Sequence, residues 1–273
     1  MASLRTYPVL AALAAGILMA GCSFIGDQAE SPSAAKPEKT KALTPREDKC
    51  PDPVGYWAFN EGEGTNIVDS SGNGNNGYIV NNMRGIQWAA GRSGRGLAFT
   101  SDPSRANTSG CVVVPGMNKY DFTNGITIEA WIMPDKDINL KALYEIVSDT
   151  AASNHGPGFR FLIHWQRMAF NSGDRATKKT WGASTDSLKT PIYPGTWQHV
   201  AGTYDGSVFK VYIDGEEGGA SAADLKMSGG HERISIGSIR EGASYGFMGV
   251  IDEVKIYDRA LSAVQILKHV KFD

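Results

Sequence analysis

Ile126-Thr127-Ile128-Glu129-Ala130-Trp131-Ile132-Met133-Pro134 is the stretch on which the reading of this chain turns. Ile126, Ile128, Ala130 and Ile132 alternate with Thr127, Glu129, Trp131 and Met133, and successive side chains of a strand point to opposite faces. The stretch is therefore a β-strand. Its second set carries a large aromatic ring, so both faces are expected to be covered. Downstream, Thr196 to Gly206 (T-W-Q-H-V-A-G-T-Y-D-G) runs through Asp205-Gly206 into an apolar segment at 208–213. That pair is expected to supply the positive φ of a two-residue hairpin turn. A further turn is expected at Asp214-Gly215. Segments 159–165 and 168–171 flank Gln166-Arg167 as another tight hairpin, and 54–60, 233–238 and 247–257 read as further strands. Helix is confined to one place. Ser262, with Gln265 three positions on, forms a capping box that opens a helix to about Val270.

Composition agrees with an all-β reading. The 273 residues include 32 glycines, and short apolar runs are separated by turn residues. The net charge is −2 with no basic stripe, which argues against nucleic acid as a partner. No internal repeat or second core is visible, so one domain is expected.

The N-terminal residues read as a targeting segment. Arg5 provides charge, and an apolar stretch over 9–20 is short for a bilayer span, which needs about 20 residues. It closes on Leu18-Met19-Ala20-Gly21-Cys22, where small residues ahead of a cysteine resemble the bacterial lipoprotein lipobox. The resemblance implies cleavage before Cys22, diacylglycerol on its thiol and acylation of the new amino group; an ordinary cleaved signal peptide is the alternative. Residues 1–21 are then the signal peptide. Residues 22–49 are a tether, rich in Pro, Ala, Lys, Glu and Ser, with no aromatic after Phe24. Several acyl chains make a stable anchor, and Ser23 at the following position suits an outer-membrane or cell-surface location. With Cys22 lipidated, Cys50 and Cys111 remain as an even pair in an oxidising compartment, and a disulfide between them is expected. Closing that loop would contribute about 4 kcal/mol. Two buried thiols are the alternative.

Further motifs stand in order around the strand at 126–134. They are Tyr56-Trp57-Ala58-Phe59-Asn60-Glu61-Gly62-Glu63-Gly64-Thr65, Asp69-Ser70-Ser71-Gly72-Asn73-Gly74-Asn75-Asn76-Gly77, Gly91 to Phe99 (G-R-S-G-R-G-L-A-F), the segment around Trp197, and Ile251-Asp252-Glu253-Val254. Together they resemble the bacterial laminin-G-like, concanavalin A-like jelly-roll family over residues 54–267. The resemblance implies an all-β, two-sheet antiparallel sandwich over residues 50–273, with first and last strands as neighbours. It also implies a structural calcium ion near the loop at 69–77, with Asp69, Asn73, Asn75 and Asp252 as candidate ligands, since calcium takes hard oxygen donors. Asn, Asp, Ser and Gly are equally the residues of a plain turn.

Trp57, Trp131 and Trp197 lie within the family motifs and are expected in the core. Trp165, Trp181, His155, His164 and Tyr245 fall outside them. Exposed aromatic rings suit sugar binding, because the apolar face of a pyranose packs on a π-surface while rim polar groups bond its hydroxyls. Arg160, Asn154 and Asn171 are candidates for that rim. Catalytic patterns are weak. Asp252 and Glu253 are adjacent, which places them on opposite faces of a strand; Glu129 has no acidic partner two residues away, and His199 with Tyr204 is only a formal lyase pair. The expectation is a non-catalytic cell-envelope lipoprotein that binds a polysaccharide or other glycan. A protein-binding adhesion module is the alternative, and a polysaccharide-cleaving enzyme a more distant one.

Overall fold

The computed structural model describes residues 49–80, 85–100, 110–149, 158–174, 177–225, 227, 232–239, 242 and 244–272. Cys22, the segments at 1–21 and 22–48, Asn154 and His155 lie outside the described residues. The strands begin with β1 (Gly55–Trp57), β2 (Asn66–Ile67), β3 (Gly77–Ile79), β4 (Ile86–Ala90), β5 (Arg95–Thr100) and β6 (Val112–Pro115). There follow β7 (Ile126–Pro134), β8 (Leu143–Asp149), β9 (Phe159–His164), β10 (Arg167–Asp174) and β11 (Lys179–Ser184). The series closes with β12 (Gln198–Tyr204), β13 (Val208–Ile213), β14 (Glu216–Ala222), β15 (Arg233–Ile236), β16 (Met248–Tyr257) and the helix α1 (Ala263–Phe272).

These strands form two antiparallel sheets packed as a sandwich. The first runs β14-β13-β12-β7-β16-β5-β4, with β1 also on β16; the second runs β11-β10-β9-β8-β15-β6-β3-β2. The first and last strands are neighbours, Tyr56 facing Lys255. One edge of β16 is shared: residues 248–251 pair with β5 and 254–256 with β1. The changeover falls at a bulge between Asp252 and Lys255. Glu253 there has φ +53, and a bulge bends its strand and sharpens the twist.

Alternation in β7 sets the layers. Ile126, Ile128, Ala130 and Ile132 enter the core between the sheets, where Phe161 and Phe170 of the second sheet meet edge to face at 6.1 Å. Each buried phenylalanine contributes roughly 1.5–3 kcal/mol through lost apolar exposure. Gly202 of β12 is needed for this closeness, since a Cβ there would stand 2.8 Å from the Phe170 ring. The opposite face of β7 is covered as well. Below α1, Ile266 packs with Ala201, Tyr212, Tyr257 and Leu261 as a second apolar cluster. The capping box forms: Ser262 N–H donates to Gln265 Oε1 (2.9 Å), and Gln265 N–H to Ser262 Oγ (3.3 Å).

Three local expectations are corrected, and the turn expected at Asp214-Gly215 is present. The strand at 54–60 shortens to 55–57, because Phe59 takes φ +49 and breaks the extended backbone. The hairpin at Asp205-Gly206 has a four-residue loop, since Tyr204 pairs with Phe209. Asp205 Oδ1 holds it by accepting the amides of Ser207 (2.9 Å) and Val208 (2.8 Å). The two-residue turn occurs instead at Asp214-Gly215, with φ +51 and +83 between paired Ile213 and Glu216. Finally, Cys50 and Cys111 are not joined in a disulfide. Cys50 lies at the carbonyl of Gln265 in α1, outside the first sheet, whereas buried Cys111 precedes β6 of the second. The two thiols belong to different layers.

Candidate functional site

The β9–β10 hairpin turns on Trp165-Gln166, one residue earlier than the sequence suggested, because His164 pairs with Arg167. Both turn residues are left-handed, at φ +50 and +66. This is the geometry of a type I′ turn, which favours Asn-Gly. A bulky side chain there costs roughly 1–2 kcal/mol. The Gln166 amide holds the turn by donating to the Leu140 carbonyl (2.8 Å). Trp165 remains 63% exposed at the tip. It walls an open recess of about 380 Å³ with His164, Gln166, Arg167, Ser184 and Ser187, floored by Ala169. Burial, with the nearby Arg160 charge, holds the His164 imidazole below its ordinary value, so at neutral pH it offers one donor and one acceptor. An aromatic face ringed by hydroxyls, an amide, an imidazole and a guanidinium is chemistry suited to a polyol.

The other sequence candidates divide. Arg160 is not a rim donor: it is buried in an ion pair, with Nε 2.6 Å from Glu145 Oε1. Tyr245, 36% exposed and at φ +56, stands over its guanidinium at 5.6 Å. Trp181 is half-buried against the core from β11 and does not line the recess. Asn171 is half-buried on β10, paired with Arg160 and Gly182. Trp57 is buried in the core as expected; Trp131 is buried on the outer face of the first sheet, under the Arg92 guanidinium at 4.5 Å. Gln166, Arg167, Ser184 and Ser187 are the lining residues that the sequence did not single out. Gln166 and Arg167 were legible only as hairpin residues, whereas Ser184 and Ser187 reach the recess from the end of β11 and the loop after it.

The proposed calcium ligands do not fit a common cation site. Asp69 Oδ1 accepts the amides of Tyr56 (3.0 Å) and Ser71 (2.9 Å), and Oδ2 that of Asn75 (2.8 Å). Burial opposes its charge, but these bonds, with the Ser71 hydroxyl, outweigh it and hold the carboxyl below the usual range. The Asn75 side-chain amide donates to the Val54 carbonyl (2.6 Å), and that of Asn73 reaches the same oxygen at 3.3 Å. Asp252 serves a different loop. Its Oδ2 accepts the Arg92 (2.8 Å) and Ser93 (3.1 Å) amides while Oδ1 accepts that of Glu253 (2.8 Å), and burial pushes its carboxyl up to about 6. N–H donors surround both carboxylates where a cation would need oxygen donors. No group of three or more His, Cys, Asp or Glu side chains among the described residues is arranged to hold a metal ion.

Neither catalytic candidate gains a geometry. Asp252 is bound to its loop, and Glu253 accepts the Tyr56 hydroxyl. His199 and Tyr204, five apart on β12, face opposite ways: Tyr204 enters the core, and His199 turns outward to Glu129, Nε2 to Oε2 3.5 Å.

A two-sheet antiparallel sandwich with neighbouring first and last strands defines the concanavalin A-like jelly-roll class. Residues 105–267, more than half of the chain, match the Laminin_G_3 model of the Concanavalin A-like lectin/glucanases superfamily, and the chain belongs to that family. Among solved structures it is similar to domain 4 of AbnA, a GH43 extracellular arabinanase from Geobacillus stearothermophilus, in complex with arabinotriose. That match has 21% identity and a TM-score of 0.60, over 80% of this chain and 97% of the other. It is also similar to the binding domain of Paraclostridial Mosquitocidal Protein 1 (20% identity, TM-score 0.63, 80% of this chain and 52% of the other). The botulinum neurotoxin serotype G binding domain is a third (16%, 0.60, 80% and 50%). The chain thus spans about half the length of these toxin domains, and at such identities the likeness is one of fold. No curated protein matches in sequence.

Proposed function

We propose that this chain is a non-catalytic carbohydrate-binding module of the cell envelope, tethered through a lipidated Cys22, with Trp165 as its sugar platform. One observation carries the reading. A tryptophan sits at a turn position where Gly or Asn would be relaxed, and it keeps its ring in solvent beside hydroxyl and imidazole groups. Strain of this kind persists where function requires it. The arabinanase domain supports the reading, having been solved with arabinotriose on the same fold. A glycan array with the purified full chain tests it. Saturable binding to one glycan class, lost in Trp165→Ala, is expected; a blank array overturns it.

A protein-binding adhesion module is the second reading. Leu188, 92% exposed on the β11–β12 loop, favours it, as do the toxin binding domains that share the fold. A blank array together with protein-mediated adhesion lost in Leu188→Ser would establish it.

A further inference from the structure

A second recess, of about 270 Å³, opens beyond the loop that bounds the first. Tyr193, 55% exposed, forms one wall; Lys189, Gln198, Asp214 and Glu216 supply its polar lining. Nothing in the Trp165 site uses these residues. Ser187 lines the first recess and Lys189 the second, so their Cα atoms, two peptide steps apart, are at most about 7.6 Å from each other. Leu188, 92% exposed, lies between these two lining residues in the chain.

This loop is rigidly built. Asp186 donates its amide to the Gly218 carbonyl (3.1 Å), while its own carbonyl accepts from Lys189 (3.0 Å) and Thr190 (2.8 Å). Its carboxylate accepts the Leu188 amide (3.0 Å). Gln198, 2% exposed, sets the Tyr193 segment: its Oε1 accepts the Tyr193 amide (2.7 Å) and its Nε2 donates to the Pro191 carbonyl (3.1 Å). Asp214 is fixed as well, its Oδ1 accepting the His199 amide (2.9 Å). A buried glutamine holding both ends of a loop that carries an exposed ring is a preorganised arrangement, of the kind that lowers the ordering cost of binding.

The lining is chemically mixed. Lys189 is donor only, and the carboxylates of Asp214 and Glu216 are acceptors. Vicinal hydroxyls satisfy both kinds at once, and Tyr193 offers a ring face beside them. An anion would meet two carboxylates and a cation would meet the lysine, so a neutral polyol fits better than either.

We infer that the Tyr193 recess is a second subsite of one extended site, and that the domain binds an oligosaccharide lying across the Asp186–Thr190 loop from Trp165 to Tyr193. The inference rests on the carbohydrate reading of the Trp165 recess. It adds a chain-length requirement: a short sugar fills one recess, and only a longer chain engages both.

Isothermal titration of the full chain with linear arabino-, xylo- and gluco-oligosaccharides, from disaccharide to octasaccharide, tests it. Affinity for the recognised series is expected to rise at least about tenfold with length and then level off, as linked subsites produce. Tyr193→Ala and Lys189→Ala should each abolish that gain and leave the disaccharide affinity as it was. Trp165→Ala should weaken every member. Gln198 grips only the backbone of the Tyr193 segment, so Tyr193→Ala keeps the loop, and circular dichroism checks that the fold is intact. A flat length profile, or a Tyr193→Ala profile matching wild type, would overturn the second subsite while leaving the Trp165 reading in place. Failure of wild type to bind any series would overturn both.

Discussion

His269 Nδ1 lies 2.9 Å from Glu129 Oε1 across 140 residues of chain, and this pair pins the C-terminal helix to the first sheet. The carboxylate is buried and receives a hydroxyl donor as well, from Tyr257 (2.9 Å to Oε1), with His199 Nε2 3.5 Å from Oε2. Removing one partner from a buried pair strands the other, which costs on the order of 3 kcal/mol. His269→Ala is therefore expected to lower the urea midpoint of the whole domain and to expose α1 to proteolysis before the sheets unfold. Limited proteolysis with mass-spectrometric mapping checks the order of events. Simultaneous loss of sheet and helix in the variant would contradict it.

The same carboxylate sets a pH dependence. Burial opposes its charge, but hydrogen bonds from His199 and His269 outweigh burial and hold Glu129 far below the ordinary carboxylate range. A group depressed in the folded state stabilises it above the unfolded pKa, about 4.5, and that contribution is lost as pH falls below this value. The stability gap between wild type and Glu129→Gln should thus be full at neutral pH and narrow progressively as pH falls below about 4.5, without closing by pH 3. Asp252 runs the other way. Burial lifts its carboxyl to about 6, so wild type should lose stability relative to Asp252→Asn as pH rises from about 4 through about 6. Urea titrations of the three proteins over that range measure both signs.

Trp165 offers a separation of stability from function. In a left-handed turn position, Asn or Gly relieves strain worth roughly 1–2 kcal/mol. Trp165→Asn is expected to raise the melting temperature by a few degrees and to abolish glycan binding. A variant that lost binding and stability together would show that the ring supports the fold instead.

The layers of this fold were legible in the chain because they depend on local alternation. In β7 every second residue reads apolar, and the intervening Trp131 announces a covered outer face. Relations across the chain were hidden. His269 follows Ile266 by three residues on α1 and so shares its buried side, but nothing local says that Glu129 waits beneath. The site was half legible. Trp165 could be singled out as an aromatic outside the family motifs, whereas Trp181 could not be told from it without the core that β11 packs upon. Arg160 looked like a rim donor because its partner Glu145 lies 15 residues away on another strand.

The cysteines give a chemical check on the layers. Cys50 beside α1 and Cys111 before β6 are expected to react with iodoacetamide on unfolding without any reductant. Intact-mass analysis should show both labelled. A mass two hydrogens short, with labelling only after reduction, would mean that residues 49–54 reach the second sheet by a path different from the one described.

Asp69 completes the set. With both oxygens accepting backbone amides from Tyr56, Ser71 and Asn75, this carboxylate closes its loop without needing a cation, because the positive ends of three N–H dipoles already surround it. Asp69→Ala leaves those amides buried or half-buried with nothing to accept them, at a cost of about 1–3 kcal/mol for each that water cannot reach. A loss of several kcal/mol in urea unfolding is expected, with Asp69→Asn recovering part of it, since an amide oxygen replaces one acceptor but not the other. Calcium and chelator should leave the wild-type melting temperature unchanged. A rise of several degrees with calcium would mean that a ligand binding the folded state is present, and that the loop rearranges its carboxylate from amides to metal.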